Sequence, residues 1–491
     1  MEGGTCHDGR RRNLLTGRNV NRKDKYNARE PIWKILTIKI IKIMQTNVHI
    51  LLTNGGRFAI IKLHRVKKRG MIMSEKRIYF CVDMKSFFAS VECAERGLNP
   101  FETNLVVADE TRGGGTICLA ITPAMKALGV KNRCRLYEIP KNIKYITAMP
   151  SMKKYIQYNG DIYDIYLDYM SPQDIHVYSI DESFLDVTDY LQMYHKTPRQ
   201  FAKLLINEIA ERTHIPATVG MGSNLYLAKI ALDITAKKKA DHIGWLNEDL
   251  YQETLWKHRP LTDFWQIGKG IERRLAKYGI HDMEGITKTD ERLLYKEFGI
   301  NAELLIDHAW GRESCTIADI KAHKTKAKSI FGSQILFEDY PFEKASIVVK
   351  EMVLDACHKM MRQKVVTNSL TLYIGYSKDV IPPTGGTAKL LSTTNVFSEV
   401  LTGVMDVFNK TTNRDVPIRR IGLTCNNVVG EGCEGYNLFT NFAAVEKEKK
   451  LERTVLELKD RFGKNSMLRA IDLEEGATAM ERNRLIGGHN E

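Results

Sequence analysis

The sequence predicts an α+β multidomain protein. Three observations carry that prediction. Short apolar strands alternate with helices between residues 77 and 238, as a sheet layered with helices requires. A polar helical stretch, punctuated by glycines, follows at 250–313. Residues 329–427 then return to the order β-α-β-(β)-α-β, a small α+β domain. The length of 491 residues agrees, because roughly 100–200 residues per domain implies three or four.

The elements run in the following order. Residues 1–73 show no settled period, and the basic runs at 10–12 and 67–69 flank them. Met71 and Met73 stand just before the first clean strand. Translation is therefore expected to start at one of them; a basic arm that holds DNA and a disordered tail are the alternatives. Residues 78–82 read as a buried strand that ends on Asp83. A helix is expected at 87–96 and strands at 105–108 and 116–121. Pro123 opens a helix to 128, and Gly129 closes it. A longer helix is expected at 151–169. A strand at 175–180 runs into Asp181-Glu182, and a second follows at 183–187. Helix 201–212, strand 217–222 and helix 224–238 complete this part.

In 250–313, Gly268, Gly270, Gly279 and Gly299 separate short helices. Lys321, Lys324, Lys326 and Lys328 form a linker. Elements at 329–337, 344–362, 369–376, 398–409 and 420–426 make the second α+β unit. A glycine-rich stretch, one helix at 443–461 and a polar tail end the chain.

The formal net charge is +14. Residues 1–73 hold 17 Lys/Arg against 4 Asp/Glu, so the remaining chain is close to neutral. The headline charge is thus a weak argument for nucleic acid. The distribution is a better one: residues 316–430 hold 15 Lys/Arg against 10 Asp/Glu. The nine cysteines are scattered, with no C-x-x-C pair, which fits free thiols in the cytoplasm and argues against structural zinc. The most apolar stretch, 32–61, carries Lys34, Lys39, Lys42 and Arg57, so no membrane span or membrane partner is expected.

The strongest chemistry is carboxylate. Asp83 ends one apolar strand, and Asp181-Glu182 end another. Carboxylates at the ends of adjacent strands converge, and three of them suit hard cations such as Mg²⁺ that leave room for substrate phosphates. Two such ions can activate an attacking oxygen and stabilise a leaving pyrophosphate. The plain alternative is that each is a turn residue. Asp186 and Asp189 are assigned to turn or surface.

Tyr79 to Glu92, reading YFCVDMKSFFASVE, resembles the opening motif of the Y-family translesion DNA polymerases. Tyr178 to Phe184, YSIDESF, resembles that family's second motif, and the spacing of about 100 residues matches. The resemblance runs from about residue 76 to 427. It is nearest to the UmuC type, in the plasmid- and phage-associated branch of Gram-positive bacteria, which also has a C-terminal extension.

The resemblance implies a right-hand polymerase. Residues 74–238 would be a ferredoxin-like palm with small fingers inserted at about 86–148. Residues 239–315 would be a helix-hairpin-helix thumb, 316–430 an α+β little finger, and 431–491 a tail. Asp83, Asp181 and Glu182 would hold two Mg²⁺ (or Mn²⁺), with the Met84 carbonyl as a further ligand. Phe87, Phe88, Thr122, Lys126 and Lys237 would border the dNTP. Adjacent helix residues point about 100° apart, so Phe87 is assigned to the core and Phe88 to the steric gate. An aromatic ring there rejects a 2′-hydroxyl by a clash. Pro123 stands where many relatives have a phosphate-contacting Tyr. Lys85 stands where some have a second Asp and is no metal ligand. Lys237 is chosen over Lys229, which could equally face solvent.

Gly268-Lys269-Gly270 opens a helix-hairpin-helix that would grip duplex phosphates through backbone N–H groups. Arg419 and Arg420 are the phosphate candidates of the little finger. Tyr436, Leu438 and Phe439 sit where relatives carry a sliding-clamp peptide, although the usual glutamine is missing. The implied function is low-fidelity translesion synthesis by a monomeric, cytoplasmic enzyme of the SOS response, acting on primer-template DNA and dNTP. An inactive polymerase-like DNA- or clamp-binding protein and a nucleotide cyclase are the rivals.

Overall fold

Residues 79–84 form strand β1 (Tyr79–Met84), buried along its length except at Asp83. The computed structural model describes residues 77–323, 329–436 and 440–490. The extension at 1–73, the linker lysines Lys324, Lys326 and Lys328, and Leu438 with Phe439 lie outside the described residues. Side-chain alternation sends Phe80, Val82 and Met84 to one face of β1, and Tyr79 and Cys81 to the other. Covering both faces is why the strand reads as a continuous apolar run.

Strands β2 (Leu105–Val107), β3 (Ala120–Ile121) and β4 (Ile146–Ala148) form a separate small sheet of order β3-β2-β4. β3 is much shorter than the strand expected at 116–121. This unit closes over its own core of Val106, Cys118, Ile121 and Met125. Strands β5 (Ile175–Val177), β6 (Glu182–Asp186), β7 (Ala217–Gly222) and β8 (Ile243–Leu246) join β1 in a sheet of order β5-β6-β1-β7-β8. The pairings are antiparallel except β7 with β8. β8 was not among the expected strands, because Ile-Gly-Trp-Leu is too short to show a period.

Helices Met152–Tyr169 and Pro198–Thr213 cover the Phe80 face through Tyr155, Ile162, Tyr166, Phe201 and Leu205. The opposite face receives the segment from Leu225 to Lys238, expected as one helix. It is α-helical over Leu225–Ile230, widens to a π turn at Ala231–Thr235 and tightens over Ala236–Lys238. This segment lies directly on backbone. A Cβ added at Gly220 would meet Ala228 O and Leu232 N at 2.2 Å, and one at Gly244 would meet Ala231 O at 2.6 Å. Gly220 and Gly244 are register partners, so together they form a shallow seat. The other side of the same segment, with Tyr226, Leu227 and Ile230, enters the core of the helices at 248–309.

Strands β9 (Ser329–Tyr340), β10 (Val365–Tyr376), β11 (Thr384–Thr394) and β12 (Ile418–Asn426) form a second antiparallel sheet of order β11-β10-β12-β9. Helices Phe342–Gln363 and Phe397–Thr411 pack against it around Val349, Val353, Val400 and Phe408. Phe331, Ile335 and Tyr373 remain exposed on this sheet. No helix among the described residues is long and apolar enough to cross a membrane.

The expected polar tail is instead built into the body. Helix Phe442–Phe462 buries Glu452 against His358, 2.7 Å from Oε2 to Nε2. Buried Glu351 accepts the N–H groups of Thr478 and Ala479 at 3.0 and 2.9 Å. Charge-assisted bonds hold this segment, and they leave no hydrophobic period in the sequence.

The glycine seat has a measurable consequence. Gly220→Ala is expected to cost about 3 kcal/mol or more, because backbone on the helix side has nowhere to move. Gly270→Ala, whose Cβ would meet nothing within 4 Å, should cost far less. Thermal melts of the two variants check this; equal melting temperatures would contradict the packing described.

Candidate active site

Asp83 on β1 and Glu182 on β6 are register partners. Directly opposed antiparallel residues project to the same face, here the face covered by the 225–238 segment. Asp181 precedes β6. Its carbonyl accepts the Met84 N–H at 2.9 Å, and its Oδ1 accepts from Ser179 Oγ at 2.7 Å. Strand pairing thus places all three carboxylate residues at one end of β1 and β6. Burial pushes the Asp83 carboxyl up to about 7; Lys237 opposes this, and the negative charges of Asp181 and Glu182 add to it.

Glu182 is buried and doubly engaged. Its Oε2 lies 2.8 Å from Lys229 Nζ, and its Oε1 accepts from Cys81 Sγ at 3.0 Å. Lys229, allowed above as a solvent-facing residue, is buried. The glycine seat brings its helix close enough to put the ammonium inside. Burial alone would lower its pKa, but Cys81, Asp233 and Glu182 outweigh it and hold the charge. Asp233 bridges the two lysines of this helix, 3.0 Å from Lys229 and 2.8 Å from Lys237. Lys237 Nζ also stands 4.0 Å from Asp83 Oδ2, with its side chain 44% exposed.

Two further cations face this point. Lys126, on the helix Pro123–Ala127, and Lys85 both have ammonium pKa values lowered by burial, and both sense Asp83 and Lys237. Lys85 Nζ lies 3.2 Å from both ring nitrogens of His242 and 5.5 Å from the centroid of Phe101. Sequence reasoning set Lys85 aside; its only signal was its place two residues after Asp83.

Two residues expected to border the dNTP, Thr122 and Phe87, are turned away from it. Thr122 is fully buried, and its Oγ1 donates to Thr103 O at 2.8 Å and accepts from Leu105 N and Met125 N. It caps the helix that carries Lys126 and presents no hydroxyl to a nucleotide. Phe87 is 3% exposed and belongs to the core, so its ring has no nucleotide-facing surface. Phe88 is partly buried and stacks on Tyr155, with centroids 4.4 Å apart. Ser86, at φ 49°, turns the chain between β1 and the helix Phe87–Ala94 that presents these rings. Asp186, assigned to turn or surface, is buried and pairs with Arg77 at 2.8 Å; Asp189 is exposed.

The remaining candidates lie apart from the carboxylates. Gly268 caps the helix Lys269–Ala276, and the chain reverses at Gly279, φ 72°, into the helix Met283–Lys288. Cβ atoms at Gly268 and Gly270 would meet open space. On β12, Arg419 donates to Asp339 at 3.3 Å, while Arg420 is exposed. Tyr436 packs on Phe442, and its hydroxyl donates to Glu434 at 2.6 Å.

Among the described residues, no three His, Cys, Asp or Glu side chains are drawn together tightly enough to hold an ion. The chemistry of the set nevertheless fits a divalent cation. It is all oxygen, and burial, which disfavours the ionised Asp83 carboxyl, would be offset by a bound cation.

Removing one partner of the buried pair leaves the other uncompensated, at a cost of about 3–5 kcal/mol. Lys229→Met is expected to lower the melting temperature accordingly, and adding Glu182→Gln should restore part of the loss. A double-mutant cycle without coupling would show that the pair contributes nothing.

Two family models match the chain, the impB/mucB/samB family over residues 82–233 and its C-terminal domain over residues 327–438. The chain is 33% identical to the UvrX protein of Bacillus subtilis (strain 168), named for UV-damage repair, over 83% of this chain and 96% of that one. It is 30% identical to "DNA polymerase IV 2" of the same organism, over 85% of this chain and 100% of that one. A solved Y-family DNA polymerase chimera has the same fold, with a TM-score of 0.56 and 21% identity, covering 72% of this chain and 99% of that chain. All three carboxylate residues, Asp83, Asp181 and Glu182, fall within the first family match, and the chain belongs to the impB/mucB/samB family, the UmuC-type group of the Y-family polymerases.

Proposed function

We propose that this chain is a low-fidelity DNA-templated DNA polymerase for translesion synthesis, joining a dNTP to a primer 3′-hydroxyl with release of pyrophosphate. The observation that carries the reading is the pairing of Asp83 with Glu182 across β1 and β6, with Asp181 at the head of β6. Two divalent ions, Mg²⁺ or Mn²⁺, held by Asp83, Asp181, Glu182 and the Met84 carbonyl would supply nucleophile activation and charge neutralisation.

The chain's own residues do the positioning. Lys126 and Lys237 bind the triphosphate, and Lys85 extends that cationic shelf beyond the two lysines expected. Lys229 holds the Glu182 side chain in place through their buried ion pair. Phe88, braced by Tyr155, closes the space beside the sugar C2′. Backbone N–H groups at Lys269 and Gly270 take a duplex phosphate, and Arg420, with Arg419 behind it, takes another on the second sheet. Such contacts position the duplex without reading its sequence. The enzyme acts as a monomer in the cytoplasm during the SOS response.

Primer extension with Mg²⁺ tests this reading. Wild type should extend a primed template, and Asp181→Ala should fall by about 10³-fold or more, since the site works by charge stabilisation. Absence of template-dependent incorporation by wild type refutes the reading. In the same assay Phe88→Ala should accept ribonucleotides much more readily; unchanged sugar selectivity rejects the gate. Tyr436, Leu438 and Phe439 are proposed to engage the bacterial sliding clamp. Retention of full-length protein on immobilised clamp, lost with Leu438→Ala/Phe439→Ala, supports that partner, and equal retention removes it.

A further inference from the structure

Glu92 is a buried carboxylate that takes no part in holding metal or phosphate. It closes the first motif, lies four residues after Phe88 and is 1% exposed. Residues four apart on a helix share a face, so Glu92 stands one turn beyond the Phe88 ring. Its Oε1 accepts from the Tyr155 hydroxyl at 3.0 Å and lies 3.5 Å from Lys154 Nζ. Its Oε2 pairs with Arg96, whose guanidinium also donates to the Glu92 carbonyl at 2.7 Å. Arg96 and Lys154 already supply the opposite charge that a buried carboxylate needs. The Tyr155 hydroxyl adds direction rather than charge.

Tyr155 carries that direction to the gate. It is fully buried, stacks on Phe88 with 19° between the ring planes, and meets Phe87 edge-on at 6.5 Å. Burial and the Glu92 charge push the hydroxyl pKa well up, so the group stays a donor. The contacts close a loop: Phe88 ring, Tyr155 ring, Tyr155 hydroxyl, Glu92 carboxylate, and the helix turn back to Phe88. A ring inside such a loop cannot tilt without breaking a hydrogen bond or opening a close-packed stack. Rejection by a clash needs that rigidity, because a ring free to tilt yields to a 2′-hydroxyl.

We propose that Glu92 is a positioning residue for sugar discrimination, holding the Phe88 ring beside the sugar C2′ through the Tyr155 hydroxyl. This rests on the assignment of Phe88 as the gate and extends it to two buried residues beneath that ring. Arg96 and Lys154 act one step further out, by keeping the Glu92 carboxylate where the hydroxyl reaches it.

The test compares rNTP with dNTP incorporation by the full-length chain in primer extension, for wild type, Tyr155→Phe, Glu92→Gln, Glu92→Leu and Phe88→Ala. Tyr155→Phe keeps the ring and removes only the hydroxyl. Its ratio of rNTP to dNTP kcat/KM should rise several-fold, up to the about tenfold that a lost hydrogen bond to a charged group can supply. The rise should enter through a lower KM for rNTP, as a relieved clash requires. Glu92→Leu should loosen selectivity likewise, whereas Glu92→Gln keeps an acceptor for the hydroxyl and should retain it. Glu92→Leu/Tyr155→Phe should be no looser than Tyr155→Phe, since both changes remove the same bond. Melting temperatures are read in parallel. A lowered melting temperature with wild-type selectivity in Tyr155→Phe makes Glu92 a purely structural acid and overturns the proposal. Selectivity relaxed in Phe88→Ala alone also overturns it and leaves the gate standing. Unchanged selectivity in Phe88→Ala removes the gate, and the proposal with it.

Discussion

The seating of the 225–238 helix on the glycines of β7 and β8 is the constraint from which the rest of the site follows. Gly220, Gly222 and Gly244 remove side chains where the helix backbone passes, and the helix sinks onto the sheet. That depth buries Lys229 against Glu182 and carries Lys237 to the rim beside Asp83. A helix held away by ordinary side chains would leave Glu182 buried without a cation, an arrangement that proteins do not tolerate cheaply. The same helix supplies Tyr226, Leu227 and Ile230 to the helical core at 248–309. One element therefore joins two cores and sets the charge balance of the catalytic carboxylates.

That balance has a clear logic. Three carboxylate residues at the end of two strands repel one another, and the chain answers with lysines drawn from three places: β1's own continuation, the small three-stranded unit, and the glycine-seated helix. Burial still leaves Asp83 with its pKa raised to about 7, even with Lys237 beside it. The lysines are spaced around it rather than all paired to it. This leaves positive groups for a polyanionic substrate while the carboxylates await cations.

Away from the active site, charge does structural work that hydrophobic pattern does not announce. The C-terminal segment attaches through Glu351, Glu452 and His358, each buried and each answered by a partner. Hydrogen bonds to ionised groups are stronger than neutral ones, and burial raises the penalty for leaving them unmade. The segment is therefore part of the second α+β unit.

The sequence by itself determined the strand-helix alternation, the order of the second α+β unit and the identity of the three carboxylates. Those signals are local: an apolar run that stops on Asp83, a second read as stopping on Asp181-Glu182, which the structure places at the start of β6, and a proline that opens a helix. Tertiary structure decided what depends on contacts between distant residues. Thr122 became a buried cap, Asp186 a buried ion-pair partner and Lys229 an interior cation, because each outcome depends on what packs opposite. Lys85 joined the site only when Phe101 and His242 were brought beside it. β8 escaped notice because four residues hold no period, and the C-terminal segment did so because ion pairs have none.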